Sequence, residues 1–437
     1  MSFPRYERYK DSGVEWLGKV PEHWQVRRLR YSARLVTEKA TQQTNPLALE
    51  NIESWTGRLL PSETKFEGDG TSFRIGDLLF GKLRPYLAKA YLAESEGEAV
   101  GDFHVMRPSP FISGRFLFHQ LINRDSIALI DGSTFGSKMP RVGWDFMANM
   151  VLATPPIAEQ VRVADFIAQE TAKIDALIEE QRRLIELLKE KRQAVISHAV
   201  TKGLNPDAPM KDSEVEWMAS IPVHWRVLSL GRITESACDG PFGSGLKSDH
   251  YVDAGIRVIR LQNIRDGVFD GTDAAFIDPV HYADLGDHDV ISRDLLIAGL
   301  GDERNAVGRA CVAPSKIEPA MVKADCFRFR LTHDALPEFV AAQLSIGAPT
   351  DAGRLATGST RSRIPVSKMS SRPVAIPSVE EQSAIVSYLG RRDAEFAGLR
   401  SQAELGINLL QERRSALISA AVTGKIDVRN YTPKEAA

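Results

Sequence analysis

Two long segments of the chain carry apolar residues at spacings of four and three, the pattern of helices that pack along one seam. The first segment runs from Pro156 to Gly203, and the second follows the same phase 222 positions later. These patterns predict two helices of roughly 35 to 45 residues, or about 50 to 65 Å at 1.5 Å per residue. The apolar seam positions are Ile174, Ile178, Ile185, Leu188 and Val195, then Phe396, Ile407, Leu410 and Leu417.

Both predicted helices have clear ends. Ser378 and Glu381 form a capping-box pattern at the start of the second helix, and Gly203 and Gly424 mark the stops. The matched phase favours pairing of the two helices as a coiled coil, and a two-fold-like arrangement of the repeats would make them antiparallel. The alternative is that each helix packs separately on its own domain.

The remaining segments have the pattern of two α+β globules, at residues 1–155 and 204–376. Short apolar runs between Gly- and Asp-rich turns predict strands at DLLFGKL, RVIRLQNI and CFRFRL, whereas FLFHQLI and EFVAAQLSI predict brief helices. The chain is therefore divided as 1–155, 156–203, 204–376 and 377–437, with globule and helix alternating.

The two halves are related by a tandem duplication. Residues 9–29, YKDSGVEWLGKVPEHWQVRRL, recur as MKDSEVEWMASIPVHWRVLSL at 210–230, a shift of 201 with eleven of twenty-one residues identical. PPIAEQ at Pro155 recurs as PSVEEQ at Pro377, a shift of 222, so the second copy is 222 − 201 = 21 residues longer. Trp24, Trp225, His23 and His224 lie in the repeated opening, where we expect them to be packing residues.

The composition limits the possible classes of protein. The chain has 437 residues, 43% hydrophobic residues and a net charge of −2, and residues 204–376 carry 19 basic and 23 acidic side chains. This is not the basic footprint of a DNA-binding protein that acts alone, so DNA binding requires basic residues gathered on one face or phosphate contacts from partner subunits.

No feature of the sequence indicates a membrane, an export signal or a metal. No apolar run approaches a membrane span, and the N-terminal residues have no apolar signal region. The three cysteines are scattered and predict reduced thiols, and the nine histidines show no ligand spacing. We predict a cytoplasmic protein without a metal site.

The sequence shows no complete catalytic motif. The run GPFGSGLKS at Gly240 does not meet the spacing of a phosphate-binding loop, and TPPI at Thr154 lacks both the acidic or amide residue and the aromatic residue of a base-flipping loop. We therefore expect the chain to be non-catalytic, with no cofactor of its own.

Polar, basic loops punctuated by glycine are present in both globules instead. Arg, Lys, Gln and Asn can make bidentate contacts with base edges in the major groove. The candidate DNA-contacting residues in the first globule are Lys82, Arg84, Tyr86, Ser133, Thr134, Lys138 and Arg141. Those in the second are Ser244, Lys247, Gln262, Asn263, Arg304, Thr360, Arg361 and Arg363.

The chain resembles the specificity (S) subunit of type I restriction-modification enzymes over essentially its whole length. The resemblance is carried by the DSxVEWxxxxPxHW opening of each half, the PPxxEQ helix start, the stretches GDLLFGKLRPY and DGPFGSGLKSDHYVDAGIRVIRLQNI, and the alternation of globules with repeated helices. Each pattern is only moderately specific, but their order and duplication make the match strong.

The resemblance implies a division of labour along the chain. The globules would be two α+β target-recognition domains in a pseudo-two-fold repeat, each reading half of a split DNA target, and the antiparallel helices would be a spacer. Two methyltransferase (M) subunits would methylate adenine at N6, and restriction (R) subunits would join them. S-adenosylmethionine, ATP and magnesium would then be bound by the partner subunits, not by this chain.

Two other classes of function stay open from the residues alone. One is a coiled-coil scaffold that holds two protein-binding domains, and the basic loops in both globules argue against it. The other is an enzyme whose GPFGSG run binds a nucleotide, which a null result in a nucleotide-binding assay would remove.

We predict that Arg84→Ala or Arg361→Ala weakens or relaxes recognition of one half-site by roughly 1 to 3 kcal/mol and leaves the other half-site unchanged. Binding of the assembled complex to duplexes altered in one half-site at a time measures the effect. An equal loss on unrelated DNA would show that the residue does not read bases.

Overall fold

A computed structural model describes residues 3–40, 45–61, 70–242, 245–356 and 362–431. The chain divides into two compact units. Unit 1 comprises Met1–Arg183 and Ala403–Ala437, and unit 2 comprises Leu184–Gln402. Each long helix is therefore shared between the two units. No helix in these described ranges is long and apolar enough to cross a membrane.

Unit 1 mixes short strands with short helices before the first long helix. Its strands are Tyr9–Asp11 (β1), Lys19–Pro21 (β2), Gln25–Arg28 (β3), Ala33–Val36 (β4), Pro46–Leu47 (β5), Gly70–Phe73 (β6), Leu78–Gly81 (β7), Ala90–Leu92 (β8), Gly97–Val100 (β9), Phe103–Pro108 (β10) and Val151–Thr154 (β11). The helices that begin in it are Gly114–Leu121 (α1), Arg124–Gly132 (α2), Trp144–Asn149 (α3) and Ile157–Lys202 (α4).

Unit 2 has a similar mixture with more strands. They are Met210–Asp212 (β12), Ser220–Pro222 (β13), Arg226–Ser229 (β14), Thr234–Cys238 (β15), Tyr251–Val252 (β16), Ile256–Ile259 (β17), Phe276–Ile277 (β18), Asp289–Val290 (β19), Leu295–Ala298 (β20), Leu300–Gly301 (β21), Ala310–Val312 (β22), Ala320–Val322 (β23), Cys326–Leu331 (β24), Ser362–Arg363 (β25) and Pro373–Ile376 (β26). Its helices are Pro279–Ala283 (α5), Pro337–Gly347 (α6), Gly353–Leu355 (α7), Val366–Met369 (α8) and Val379–Val422 (α9).

The same strand order recurs in both units. A four-stranded antiparallel sheet runs β4-β10-β7-β8 in unit 1 and β15-β24-β20-β22 in unit 2. The strand before each long helix pairs with an early strand of its own unit, β11 with β3 and β26 with β14. The predicted α+β fold with long helices is therefore confirmed. The predicted strand runs DLLFGKL and CFRFRL contain β7 and β24, whereas RVIRLQNI includes only the last three residues of β17 and continues into the 3-10 turn Leu261–Asn263.

The units differ mainly in their second sheets. Among the residues that the structure describes, this sheet has three strands in unit 1, in the order β5-β9-β6, and five in unit 2, in the order β16-β18-β17-β23-β19. Asp77 just before β7 corresponds to Asp294 just before β20, a shift of 217, so 217 − 201 = 16 of the 21 extra residues precede β20. Most of the extra residues of the second copy therefore lie before β20, in the region that contains four of the five strands of this larger sheet.

In the four-stranded sheet of each unit, an ion pair with a buried carboxylate links two neighbouring strands, β10 to the start of β7 and β24 to the start of β20. Arg107 donates two hydrogen bonds of 2.7 Å to Asp77, and Arg330 donates two of 2.9 Å to Asp294. Both carboxylates are almost fully buried, and their hydrogen bonds raise the pKa of the two arginines. The two aspartates lie in the similar segments GDLLFGKL and RDLLIAGL. The duplication therefore extends into the cores of the globules.

The long helices match their predicted limits. α4 has 46 residues and α9 has 44. The backbone N–H of Glu381 donates to the Ser378 hydroxyl at 3.3 Å, as the capping pattern indicates. Gly203 and Gly424 adopt φ of +74° and +73°, a left-handed conformation that ends a helix and that glycine adopts most easily.

Each unit contains a stretch of both helices, and polar seam residues join them. In unit 1, Arg414 of α9 donates to Asp175 of α4 at 3.0 Å. In unit 2, Arg192 of α4 donates to Asp393 of α9 at 2.8 and 2.9 Å. Of the apolar seam positions, Ile174, Ile178, Phe396 and Leu417 are buried, and Ile185, Leu188, Val195, Ile407 and Leu410 are half-buried.

We predict that Asp77→Ala lowers the free energy of unfolding of unit 1 by about 2–3 kcal/mol, because it leaves a partly buried arginine without its carboxylate. Asp294→Ala should lower that of unit 2 by less, about 1–2 kcal/mol, because Arg330 keeps its 3.1 Å hydrogen bond to Asp289. Hydrogen exchange read by mass spectrometry assigns the loss of protection to one unit. Asp165→Ala is the control, since its ion pair with Arg115 is about half exposed on both sides and should contribute at most about 1 kcal/mol. Equal effects of all three variants would contradict the prediction.

Candidate nucleic-acid interface

Two loops that are distant in the sequence lie side by side in unit 1. Leu83 forms a β-bridge with Arg141, and the backbone N–H of Arg84 donates to the carbonyl of Pro140 at 2.8 Å. The structure thus brings the predicted GKLRPY and GSTFGSKMPR loops together.

The side chains at this corner are basic and aromatic. Arg84 and Lys138 are exposed, Tyr86 is 45% exposed and Phe135 is 63% exposed. Arg84 has a left-handed φ of +50° and is followed by a short 3-10 turn that begins at Pro85, which keeps the arginine at the surface. Such a combination can offer hydrogen-bond donors and apolar surface to nucleic-acid bases.

Other predicted contacts in unit 1 are engaged within the protein. Arg141 donates to both oxygens of Asp102 at 3.1 and 2.9 Å, and Lys82 lies 3.8 Å from the same carboxylate. The hydrogen bond to Asp102 raises the pKa of Arg141. Ser133 and Thr134 donate their hydroxyls to carbonyls of α2, at 2.7 and 2.8 Å, and so help to end that helix.

Unit 2 has a corresponding corner. Leu300 pairs with Arg363 as Leu83 pairs with Arg141, and Arg363 donates to Asp325 at 2.7 Å. The shifts from Arg141 to Arg363 and from Asp102 to Asp325 are 222 and 223. Arg304, in the neighbouring loop after β21, is exposed.

A second carboxylate lies close to the Arg363–Asp325 pair. Asp239 accepts hydrogen bonds from the backbone N–H groups of Gly240 and Asp325, at 2.7 and 2.8 Å. Burial raises the pKa of Asp239 to about 6, and the nearby Asp325 contributes in the same direction. These hydrogen bonds hold the start of the loop at Gly240 against the backbone of Asp325.

The prediction that Asn263 contacts DNA is wrong for this conformation. Its side chain is fully buried, and its amide N–H groups donate to the carbonyls of Asp270 and Asp273 at 2.8 Å. Asn263 ends a 3-10 turn, Leu261–Asn263, and accepts from the Arg260 backbone N–H at 2.8 Å. Asn51 ends the turn Leu49–Asn51 in the same way, which makes both asparagines structural.

The other candidates in unit 2 are less closely grouped. Lys247 is exposed, and Gln262 is exposed and donates to Asp273. Ser244, Thr360 and Arg361 lie outside the described residues. Among the residues that the structure describes, no group of three or more His, Cys, Asp or Glu side chains could hold a metal ion.

A glutamate at the start of each long helix, buried in unit 1 and half-buried in unit 2, was not recognised as a functional residue from the sequence. Glu159 of α4 accepts from Tyr6 and Trp24 at 2.7 and 2.9 Å, and its other oxygen lies 2.8 Å from His23. Burial, followed by the hydrogen bond to Glu159, raises the pKa of Tyr6, so the phenol stays protonated.

Glu381 of α9 has the same role in unit 2. It accepts from Trp225 at 3.2 Å and lies 2.8 Å from His224. The expectation that Trp24 and Trp225 are packing residues is therefore confirmed, since both are fully buried. His23 and His224 make the expected hydrogen bonds, but their side chains are exposed and are not part of the core. The recurrence of EQ after each proline-rich helix start was the available signal for this role.

Buried glutamines complete the same joint. Gln160 and Gln382, next to the two glutamates, each accept a backbone N–H at 2.7 Å, from Ser113 and Leu336 respectively. Gln343 of α6 bridges the carbonyls of Val200 in α4 and Ala375 in β26, at 2.7 and 2.8 Å. Gln120 of α1 links Ala153 of β11 to Val422 of α9 in the same way. Each unit thereby holds the start of one long helix and the end of the other.

Comparison with known proteins places this architecture in a known class. No protein-family model matches the chain. Its fold is similar to the HsdS subunit from Thermoanaerobacter tengcongensis, with a TM-score of 0.52, 19% identity and coverage of 93% of this chain and 98% of that one. A chain from a structure on complex assembly and conformational transition of the type I R-M system gives a TM-score of 0.66, 19% identity, and coverage of 92% and 98%.

Curated relatives point to the same class. The EcoDI specificity subunit of Escherichia coli is 25% identical over 161 residues, which is 35% of this chain and 36% of that subunit. The EcoKI specificity subunit of E. coli K12 is 23% identical over 335 residues, 74% of this chain and 68% of the subunit. The MjaVIII specificity subunit of Methanocaldococcus jannaschii is 21% identical over 320 residues, covering 72% and 71%.

These relatives are all type I restriction enzyme specificity subunits, so the resemblance seen in the sequence motifs is confirmed. The chain is a homologue of these subunits. The prediction of a non-catalytic subunit is confirmed by the same relatives.

We predict that Glu159→Gln lowers the free energy of unfolding of unit 1 by about 1–3 kcal/mol, because an amide nitrogen faces donors that the carboxylate accepted. Glu381→Gln should have a smaller effect on unit 2, since Glu381 has two of these partners instead of three and a side chain that is 27% exposed. Thermal unfolding followed by tryptophan fluorescence compares the variants. A larger effect at Glu381 would contradict the role assigned to Tyr6.

Proposed function

We propose that this chain is the DNA-sequence-specificity subunit of a type I restriction-modification complex and reads a bipartite target. The observation that carries this proposal is that the two units share a repeated frame, the four-stranded sheet and an Arg–Asp pair at one corner, whereas the loops at that corner differ between the units. A repeated frame presents each corner from an equivalent place, and different loop side chains give it a different base preference.

The long helices act as the spacer between the two recognition domains. Helices of 46 and 44 residues are about 69 and 66 Å long at 1.5 Å per residue. An antiparallel arrangement is supported by the contact of the first part of α4 with the last part of α9 in unit 1, and of the last part of α4 with the first part of α9 in unit 2. A half-site separation near one DNA turn, about 34–36 Å, is within reach of such a spacer.

Partner subunits supply the chemistry. Two M subunits would bind S-adenosylmethionine and methylate adenine at N6, and R subunits would add ATP- and magnesium-dependent cleavage. A net charge of −2 is consistent with a subunit that shares phosphate contacts with its partners. We place the complex in the cytoplasm.

The decisive experiment is single-molecule methylome sequencing of a host that expresses this chain with its neighbouring methyltransferase, beside a host without this chain. We expect a split motif of two short half-sites around a fixed gap, with N6-methyladenine on both strands that is lost on deletion. Unchanged methylation with an assembled complex would overturn the proposal.

A mobility shift separates this function from that of a protein scaffold. With the methyltransferase subunit present, the complex should shift a duplex that contains the motif at a concentration at least about a thousandfold below that needed for unrelated DNA. Equal binding of both duplexes would favour the scaffold.

A further inference from the structure

The Arg–Asp pair at each corner marks an equivalent place in the two units. In unit 1 it is Arg141 with Asp102, and in unit 2 it is Arg363 with Asp325. The bridge from each arginine to a leucine, Leu83 or Leu300, fixes the correspondence independently of the ion pair.

An exposed phenylalanine lies beside this pair in unit 1. The backbone N–H and carbonyl of Phe135 are both hydrogen-bonded to Arg141, at 3.0 Å each, while the ring is 63% exposed. The exposure of the ring therefore does not arise from a loosely held backbone. Arg84 and Lys138, in the same two loops, are exposed as well.

An exposed phenylalanine also lies beside the pair in unit 2. The guanidinium of Arg363 is 5.1 Å from the ring centre of Phe242, which is 51% exposed. The chain is anchored two residues earlier, because a Cβ at Gly240 would lie 2.1 Å from the backbone carbon of Lys323. Only glycine allows this approach, and it fixes where the loop leaves the protein.

The two phenylalanines do not correspond in the duplication. Phe135 precedes Arg141 by 141 − 135 = 6 residues, whereas Phe242 precedes Arg363 by 363 − 242 = 121 residues. Different loops thus place an exposed phenylalanine at the equivalent corner of each unit. A single exposed apolar residue needs no explanation, but this recurrence beside basic side chains indicates a shared ligand.

We propose that Phe135 and Phe242 are the apolar base contacts of the two half-sites, each packing against the 5-methyl group of a thymine in the major groove. This inference rests on the proposed function. Apolar contact with the thymine methyl distinguishes thymine from every other base, and a phenyl ring among arginine and lysine side chains supplies apolar surface where the phosphates are also bound.

The test uses the assembled complex with its methyltransferase subunits and a duplex that carries the motif found by methylome sequencing. Each thymine of each half-site is replaced in turn by uracil, which removes only the methyl group. For the unmodified chain we expect at least one replacement in each half-site to weaken binding about fourfold, the factor that corresponds to ~0.8 kcal/mol for one buried carbon group.

The variants identify the residue that senses the methyl group. Phe135→Ala should weaken binding about tenfold or more and bind the thymine and uracil forms of one half-site equally, while it still distinguishes them in the other half-site. Phe242→Ala should show the reverse. Both variants should melt at the temperature of the unmodified chain, because the rings are exposed.

Phe111→Ala is the matched control, since the Phe111 ring is 68% exposed and lies in the loop before α1. It should keep full discrimination between thymine and uracil in both half-sites. Discrimination that persists in Phe135→Ala and Phe242→Ala, or a half-site without thymine, would overturn the inference. If the unmodified complex binds motif and unrelated DNA equally, the proposed function itself fails.

Discussion

The attachment of each globule to the long helices depends on a carboxylate at a helix start, which is buried in unit 1 and half-buried in unit 2. Glu159 and Glu381 accept hydrogen bonds from a tryptophan in the opening segment of the same unit, and each is joined by a histidine. A buried charge is tolerated only where donors surround it, and a helix N-terminus favours a negative charge. The opening segment must therefore dock in one position, which fixes the globule on its helix.

The buried glutamines make this attachment rigid. Each glutamine joins backbone groups from different elements, so that a rotation of the globule would break several hydrogen bonds in a buried site at once. In the proposed function this rigidity matters, because a spacer of fixed length is useful only when its ends hold the recognition domains in fixed orientations.

The units combine a repeated interior with different surfaces. Asp77–Arg107 and Asp294–Arg330 cross the same pair of strands, and the Arg–Asp pairs at the corners also recur. The surface loops differ in length and composition, and unit 2 has a larger second sheet. Loops tolerate such change because they contribute little to the core, so specificity can diverge while the frame persists.

The sequence by itself determined the features that depend on local order. The long helices follow from a periodicity of three and four, their stops from glycines that adopt positive φ, and the duplication from repeated motifs. Tertiary structure decided which side chains are available. Asn263 has a suitable amide for reading adenine, but its burial could not be read from RLQNI because the carbonyls that hold it belong to a later turn.

The corner formed by the 82–86 and 133–141 loops likewise depends on strand pairing between distant residues, as does the neutralisation of Arg141 by Asp102. Helical periodicity is a property of neighbouring residues, whereas burial and ion pairing are properties of residues that only the folded chain brings together.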